Sequence, residues 1–221
     1  MEILFEDYYL LAINKPAGLS SESGKDSHPS AEKEALAFFT GKLQKNAPSG
    51  RLQQAPYLRA VHRLDRSTSG VLLFAKSKQA LTRLMQQFEQ RSIEKIYLAV
   101  VEKQPPAPSG RLEHWLLKDE SGRKALVFDQ KTLSAQQCVL DYAIISNAQG
   151  SFMLEVHPKT GRFHQIRAQL AHIGCPIIGD VLYGGSIWRE NQIKLHARQL
   201  IFNHPKTGAR MMIEGPLPDG F

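Results

Sequence analysis

Short apolar segments separated by turn-forming residues constrain the fold of this 221-residue chain more than any other feature. Segments with the length and composition of β-strands outnumber helical segments, and most of them are joined by turns. The strand candidates are 3–14 (interrupted at 6–7), 71–76, 96–101, 137–146, 152–157 and 210–214. This pattern predicts an α+β protein with a mainly antiparallel sheet.

Three segments have helical periodicity instead. Segment 31–44 follows a candidate N-cap, Ser30, and segment 78–90 carries an apolar stripe on one face. The third, 162–173, precedes Gly174, a residue type that commonly ends helices. We therefore expect three helices beside the sheet.

The charge of the chain favours a polyanionic partner. Lys and Arg number 28 against 21 Asp and Glu, which gives a net charge of +7. Phosphate neutralisation by basic residues supplies much of nucleic-acid affinity, although a charge of this size also serves solubility alone. Both interpretations stay open on charge.

Cysteine usage and hydropathy exclude several classes of protein. Cys138 and Cys175 lie far apart with no C-x-x-C, so neither a disulfide scaffold nor a zinc knuckle is expected. The first seven residues are acidic and lack the basic start of a signal peptide. Apolar runs stay well below the ~18 residues that suggest a membrane span. A cytoplasmic protein without membrane contact is expected.

The segment from His62 to Gly70, HRLDRSTSG, concentrates the chemistry of the chain. Asp65 stands between Arg63 and Arg66, and a strand candidate follows. Neighbouring arginines favour an ionised carboxylate, which suits nucleophilic attack or stabilisation of a cation. The alternative on the local pattern is a surface turn with two ion pairs.

This segment resembles the H-R-L-D-x-x-T-S-G motif of the RluA family of RNA pseudouridine synthases. Four further segments match family motifs in the family's order: Asn14-Lys15-Pro16, Lys95-Ile96-Tyr97, 161–167 (GRFHQIR) and 195–197 (LHA). The resemblance runs from about Ile3 to Pro216. It implies a mixed, mostly antiparallel central sheet flanked by helices and loops, with an active-site cleft across it. It also implies a single catalytic domain, 1–221, without an N-terminal S4-type domain.

The activity that the resemblance implies is an isomerisation of specific uridines to pseudouridine in structured RNA, either tRNA or ribosomal RNA. The N1–C1′ bond breaks, the base turns, and C5 joins C1′. A stacked uracil must be flipped out of the RNA to react. The reaction needs no metal and no cofactor, so none is expected, and we expect a monomer.

The resemblance assigns the catalytic roles to Asp65, Tyr97 and Arg167. Asp65 is the nucleophile or assists glycosidic cleavage, and Arg167 pairs with it. Tyr97 stacks on the target base and takes the C5 proton. The competing interpretations are a structural ion pair for Asp65, a phosphate contact or a solvated helix face for Arg167, and a core position for Tyr97.

Four residues are expected to bind substrate. Arg63 enters the space that the flipped base leaves, with a pairing to a phosphate or to Asp65 as the alternative. His62 shapes the loop or contacts RNA. Leu195 gives apolar contact to the uracil, with core packing as the alternative. Asn14, Lys15 and Pro16 are expected to be structural for the cleft, and Lys15 is expected to reach Tyr97 or RNA.

Two other functions compete with this one. A metal-dependent hydrolase would use residues such as His62, Asp65, His164, His172 and His196. However, the chain has no H-E-x-x-H and no histidine pair at i,i+4 spacing. A catalytically silent RNA-binding protein on the same fold is the second competitor. In either RNA function, segments 19–56 and 104–136 are the expected specificity loops.

Overall fold

The computed structural model describes residues 1–22, 29–46, 56–119, 123–148 and 150–221. These residues form two compact units. The first unit comprises 1–93 and 200–216, and the second comprises 94–199 and 217–221. The expected single catalytic domain, 1–221, stays a prediction.

The strands and helices within the described residues follow in chain order. They are β1 (Glu2–Glu6), β2 (Leu10–Lys15), α1 (Ala31–Asn46), β3 (Arg59–Ala60), β4 (Ser69–Ala75), α2 (Lys78–Glu89), β5 (Glu94–Val101), β6 (Ser109–Asp119), β7 (Lys124–Phe128), β8 (Gln136–Ala148), β9 (Ser151–Pro158), α3 (Gln165–His172), β10 (Leu195–Asn203) and β11 (Arg210–Glu214). Strand β10 is divided between the units, with its last four residues in the first and the remainder in the second.

In the first unit the strand order is β1-β2-β4-β10, with β3 beside β4 and β11 beside β10. Strands β1 and β2, β2 and β4, and β3 and β4 pair antiparallel. Every residue of β4 is buried, which explains its continuous apolar sequence. The register sets Lys15 opposite Gly70. The end of β2 therefore lies beside the loop that precedes β4.

In the second unit the order is β10-β5-β9-β8-β6-β7. The pairs β5·β9, β9·β8, β8·β6 and β6·β7 are antiparallel. Helix α3 buries Ile166 and Leu170 in the same apolar cluster as Leu154 and Val156 of β9. This packing fixes the helix that carries Arg167.

The structure confirms the α+β class and the largely antiparallel pairing. Helices α1 and α2 lie where the sequence predicted them, and no helix of the described residues is long and apolar enough to cross a membrane. Helix α3 begins three residues later than predicted, after His164, whose φ of 52° is left-handed. Gly174 follows its end with φ 80°, as expected.

Two elements differ from the sequence prediction. Segment 104–136 was treated as a specificity loop, but its described residues contain β6 and β7. Strand β10 was noticed only as the LHA motif. Residues 23–28 and 47–55 of the other expected specificity loop lie outside the described residues.

Candidate active site

The loop that carries Asp65 ends in a tight turn directly before β4. The backbone N–H of Thr68 donates to the carbonyl oxygen of Asp65 at 3.0 Å, which closes a four-residue turn. Asp65 is half-buried, whereas Arg63 and Arg66 are exposed. Gly70 follows with φ 115°, a conformation that side-chain-bearing residues rarely adopt. The turn thus sets Asp65 at the end of a buried strand.

Segment 15–21 holds this loop from the neighbouring strand end. The Gly18 N–H donates to the Arg66 carbonyl at 2.7 Å, and Arg66 Nε donates to the Gly18 carbonyl at 2.8 Å. Ser21 Oγ accepts from the Leu64 N–H at 2.9 Å and donates to the Leu64 carbonyl at 2.8 Å. Bonds on both sides of Asp65 therefore fix its backbone.

Lys15 is fully buried beneath the same loop. Its ammonium donates to the carbonyl oxygens of Pro16 at 2.9 Å, Leu19 at 2.8 Å and Arg66 at 3.4 Å. Burial lowers the pKa of Lys15 to about 7, and the negative charge of Asp65 opposes part of that shift. The side chain thus supports the Asp65 loop from within, and the expectation that Lys15 binds substrate stays a prediction.

The His62 side chain contacts one residue of β4 and one of α2. Its Nε2 accepts from the Leu73 N–H at 3.3 Å, and its ring centroid lies 5.6 Å from that of Phe88. These contacts agree with the expected role of His62 in shaping the loop. Contacts of His62 and of the exposed Arg63 with RNA stay predictions.

Tyr97 lies on β5 of the second unit, opposite Val156 of β9, and is partly exposed. Two positions before it, the partly buried Lys95 donates to the Thr160 carbonyl at 3.4 Å. Burial lowers the pKa of Lys95 to about 8. The K-x-Y motif therefore pairs a phenol at the strand surface with a lysine directed at the loop before α3.

Arg167 is held by a residue that the sequence analysis missed. Its Nε and Nη2 donate to the two carboxylate oxygens of Asp180, at 2.7 and 2.8 Å, and both side chains are buried. The Tyr183 ring lies beside the same guanidinium, with its centroid 5.2 Å from Cζ. A bidentate buried pair fixes the plane of the guanidinium. In the sequence Asp180 belongs to no motif or periodic pattern, and it lies in a turn between Gly179 and Gly184, so sequence reasoning had no signal for it.

Leu195 opens β10 and is buried in the core of the second unit, together with Ile177 and Ile193. Core packing therefore stays open as the alternative, and the contact of Leu195 with uracil stays a prediction. The candidate residues fall into two sets, one in each unit. Lys15, His62, Arg63 and Asp65 lie in the first, and Tyr97, Arg167 and Leu195 lie in the second. The pairing of Arg167 with Asp65 also stays a prediction.

The described residues do not bring together the metal ligands that the competing hydrolase function would require. Of those five histidine and aspartate residues, only His172 belongs to a group of three close metal-ligand atoms. The other two members of that group are His114 and Asp129. His196 is fully buried, with its ring 5.8 Å from that of Phe221.

Comparison with known proteins adds independent evidence. The family model described as RNA pseudouridylate synthase matches residues 9–172. The dual-specificity RNA pseudouridine synthase RluA of Vibrio vulnificus is 34% identical over 93% of this chain and 79% of its own length. The tRNA pseudouridine synthase C of Vibrio cholerae is 34% identical over 99% of this chain and 92% of its own length. Ribosomal large subunit pseudouridine synthase D of Pseudomonas aeruginosa is 33% identical over 100% of this chain and 69% of its own length.

A solved structure resembles this fold over almost the whole chain. Human RNA pseudouridylate synthase domain containing 4 superposes with a TM-score of 0.77 at 25% identity, covering 99% of this chain and 89% of that one. The match extends through both units.

Proposed function

This chain belongs to the RluA family of RNA pseudouridine synthases, and from that membership we propose that it isomerises particular uridines of structured RNA with Asp65 as the catalytic carboxylate. The observation that carries the assignment of Asp65 is the rigid turn in which this residue is held. It is closed by Thr68, bonded to segment 15–21 and supported by the buried Lys15. A fixed carboxylate needs no reorganisation when positive charge develops on the ribose.

The reaction conserves every atom of the uridine. The N1–C1′ bond breaks, the base turns, C5 bonds to C1′, and a proton leaves C5 while N1 gains one. Asp65 acts by adding to C1′, by adding to C6 or by assisting a glycal route. In each route the carboxylate must be ionised and close to the flipped nucleotide.

Arg167 is proposed to hold Asp65 in its reactive orientation. A guanidinium has five N–H donors, and the pair with Asp180 uses Nε–H and one hydrogen of Nη2. The position of Arg167 in the family's G-R-x-H-Q-I-R motif carries this assignment. Asp180 would then be a positioning residue, since it orients Arg167 and does not touch the substrate.

Tyr97 and Leu195 are proposed to form the uracil-binding surface. An aromatic ring can stack on any base, and the phenol of Tyr97 is assigned to remove the C5 proton. Leu195 gives apolar contact from the start of β10. Arg63, exposed beside Asp65, is proposed to fill the gap that the flipped base leaves in the RNA.

The names of the relatives divide between two substrate classes. They include a dual-specificity enzyme, a tRNA enzyme and a ribosomal large-subunit enzyme. We therefore propose tRNA or ribosomal RNA as substrate for this chain. We further propose that it acts as a monomer in the cytoplasm.

Turnover by purified variants tests these assignments. Wild-type protein is incubated with transcribed tRNA and ribosomal RNA fragments, and pseudouridine is measured together with RNA affinity. Asp65→Asn is expected to keep the fold and RNA affinity and to form no pseudouridine. Asp141→Asn, which alters a partly exposed carboxylate on β8, is the matched control and should keep full activity.

Two results would overturn the proposal. Turnover of the Asp65→Asn variant at the wild-type rate would exclude Asp65 as the catalytic group. Tight RNA binding by wild-type protein with no pseudouridine in any substrate would favour the catalytically silent alternative.

A further inference from the structure

Three potential metal-ligating side chains converge at one place in the second unit, although they are distant in sequence. His114 lies on β6, Asp129 directly follows β7, and His172 is the last residue of α3. Asp129 Oδ1 lies 2.8 Å from His172 Nε2 and 3.8 Å from His114 Nε2. All three ligand atoms lie within 4.8 Å of one another.

These separations are close to those around a bound ion. A tetrahedral zinc ion with bonds of about 2.0–2.2 Å sets its ligand atoms roughly 3.4 Å apart. The side chain of Asp129 is 76% exposed and that of His172 is 32% exposed, whereas that of His114 is 11% exposed. The two more exposed side chains can therefore move by the small distance required while His114 stays fixed.

Gln169 supplies a second, independent observation. Its Nε2 lies 3.2 Å from the Leu112 carbonyl and 3.0 Å from His114 Nδ1, while its Oε1 is buried without a hydrogen-bond partner. If the carboxamide turns, Oε1 accepts from Nδ1–H of His114. This rotation of the carboxamide breaks its hydrogen bond to the Leu112 carbonyl. Histidine ligands commonly donate their other ring N–H in this way.

We propose that His114, Asp129 and His172 bind a divalent transition-metal ion of the zinc class. Imidazole nitrogens with one carboxylate are ligands that zinc accepts, and water completes the coordination. The ion joins β6, the end of β7 and the last turn of α3. Its role is structural, because the proposed isomerisation needs no Lewis acid. The proposal also revises the sequence expectation of no metal site.

The first test is metal binding by the metal-free full chain. Zinc is titrated by calorimetry, and cobalt, a spectroscopic substitute, is followed by visible absorption. We expect one ion per chain. Asp129→Asn and His172→Gln should each weaken binding at least about tenfold. His157→Gln is the control, since His157 pairs with Glu155 at 2.8 Å elsewhere in the same unit.

A stability measurement separates a true site from a simple hydrogen-bonded cluster. Zinc should raise the thermal midpoint of the wild-type and His157→Gln proteins and leave that of Asp129→Asn unchanged. Absence of binding, or equal binding by wild-type protein and both cluster variants, would overturn the proposal. Circular dichroism in chelator checks that each variant is folded.

Discussion

Replacement of Asp180 by asparagine should strongly destabilise the second unit. The asparagine side chain is nearly isosteric, but its amide NH₂ would replace one of the two oxygens that accept from Arg167 at 2.7 and 2.8 Å. The Arg167 side chain is 7% exposed and that of Asp180 is 1% exposed, so water cannot substitute for the lost carboxylate. The variant would remove the buried negative charge that the Arg167 guanidinium meets in this pair.

The expected loss follows from the burial of this pair. Removal of one partner of a buried ion pair costs about 3–5 kcal/mol. A chain of this size loses roughly 2–4 °C of thermal midpoint per kcal/mol, so a fall of about 10 °C is expected. Asp141→Asn is the control, since Asp141 meets Lys159 at 3.1 Å on the surface. An exposed pair of this kind contributes at most about 1 kcal/mol.

Denaturant unfolding of both variants measures the difference. The double variant Arg167→Met with Asp180→Leu should lose less stability than Asp180→Asn, because it leaves no buried charge. Equal, small losses for Asp180→Asn and Asp141→Asn would refute the reasoning. A double variant less stable than Asp180→Asn would also refute it.

Three further predictions concern the loop, the turns and the substrate. The pKa of Lys15 is about 7 in the folded chain against an ordinary 10.5, so the unfolded chain holds a proton that the folded chain releases between these values. The free energy of unfolding should therefore rise with pH across this window, by at most about 5 kcal/mol, and Lys15→Met should flatten the rise. Unfolding at pH 6.5 and 9.5 checks this, and equal slopes in both proteins would count against it. Gly179→Ala should prevent stable folding, because φ is 88° and a Cβ would lie 2.5 Å from the Gln192 carbonyl oxygen. Gly208→Ala, with φ 74° and open space around the Cβ, should lower the free energy of unfolding by only about 1–2 kcal/mol. Thermal unfolding of both glycine variants measures this difference. The logarithm of the RNA binding constant should fall linearly with the logarithm of salt concentration, and a salt-independent affinity would exclude phosphate contacts.

The sequence predicted the elements whose patterns are strong. β4 is a continuous apolar run, and α2 has a clear apolar stripe, so their positions agree with the structure. The H-R-L-D-x-x-T-S-G motif likewise identified the Asp65 turn. Strand β6 escaped detection because charged and polar residues interrupt its alternation, and β7 because its apolar run, ALVF, is only four residues long.

The parts of the site that the sequence did not predict depend on long-range packing. Asp180 lies 13 residues beyond Arg167, and only the turn after α3 brings their side chains together. His172 and Asp129 are 43 residues apart, and no local spacing relates them. Lys15 appeared in a family motif, but its burial depends on the register between β2 and β4.

The central claim is that this chain makes pseudouridine in RNA through Asp65. The most direct test maps pseudouridine across total RNA of the native host with the gene intact, deleted, or replaced by the Asp65→Asn variant. We expect one or a few sites in tRNA or ribosomal RNA to disappear on deletion and to stay absent in the variant. Restoration of those sites by the Asp65→Asn protein would contradict the account.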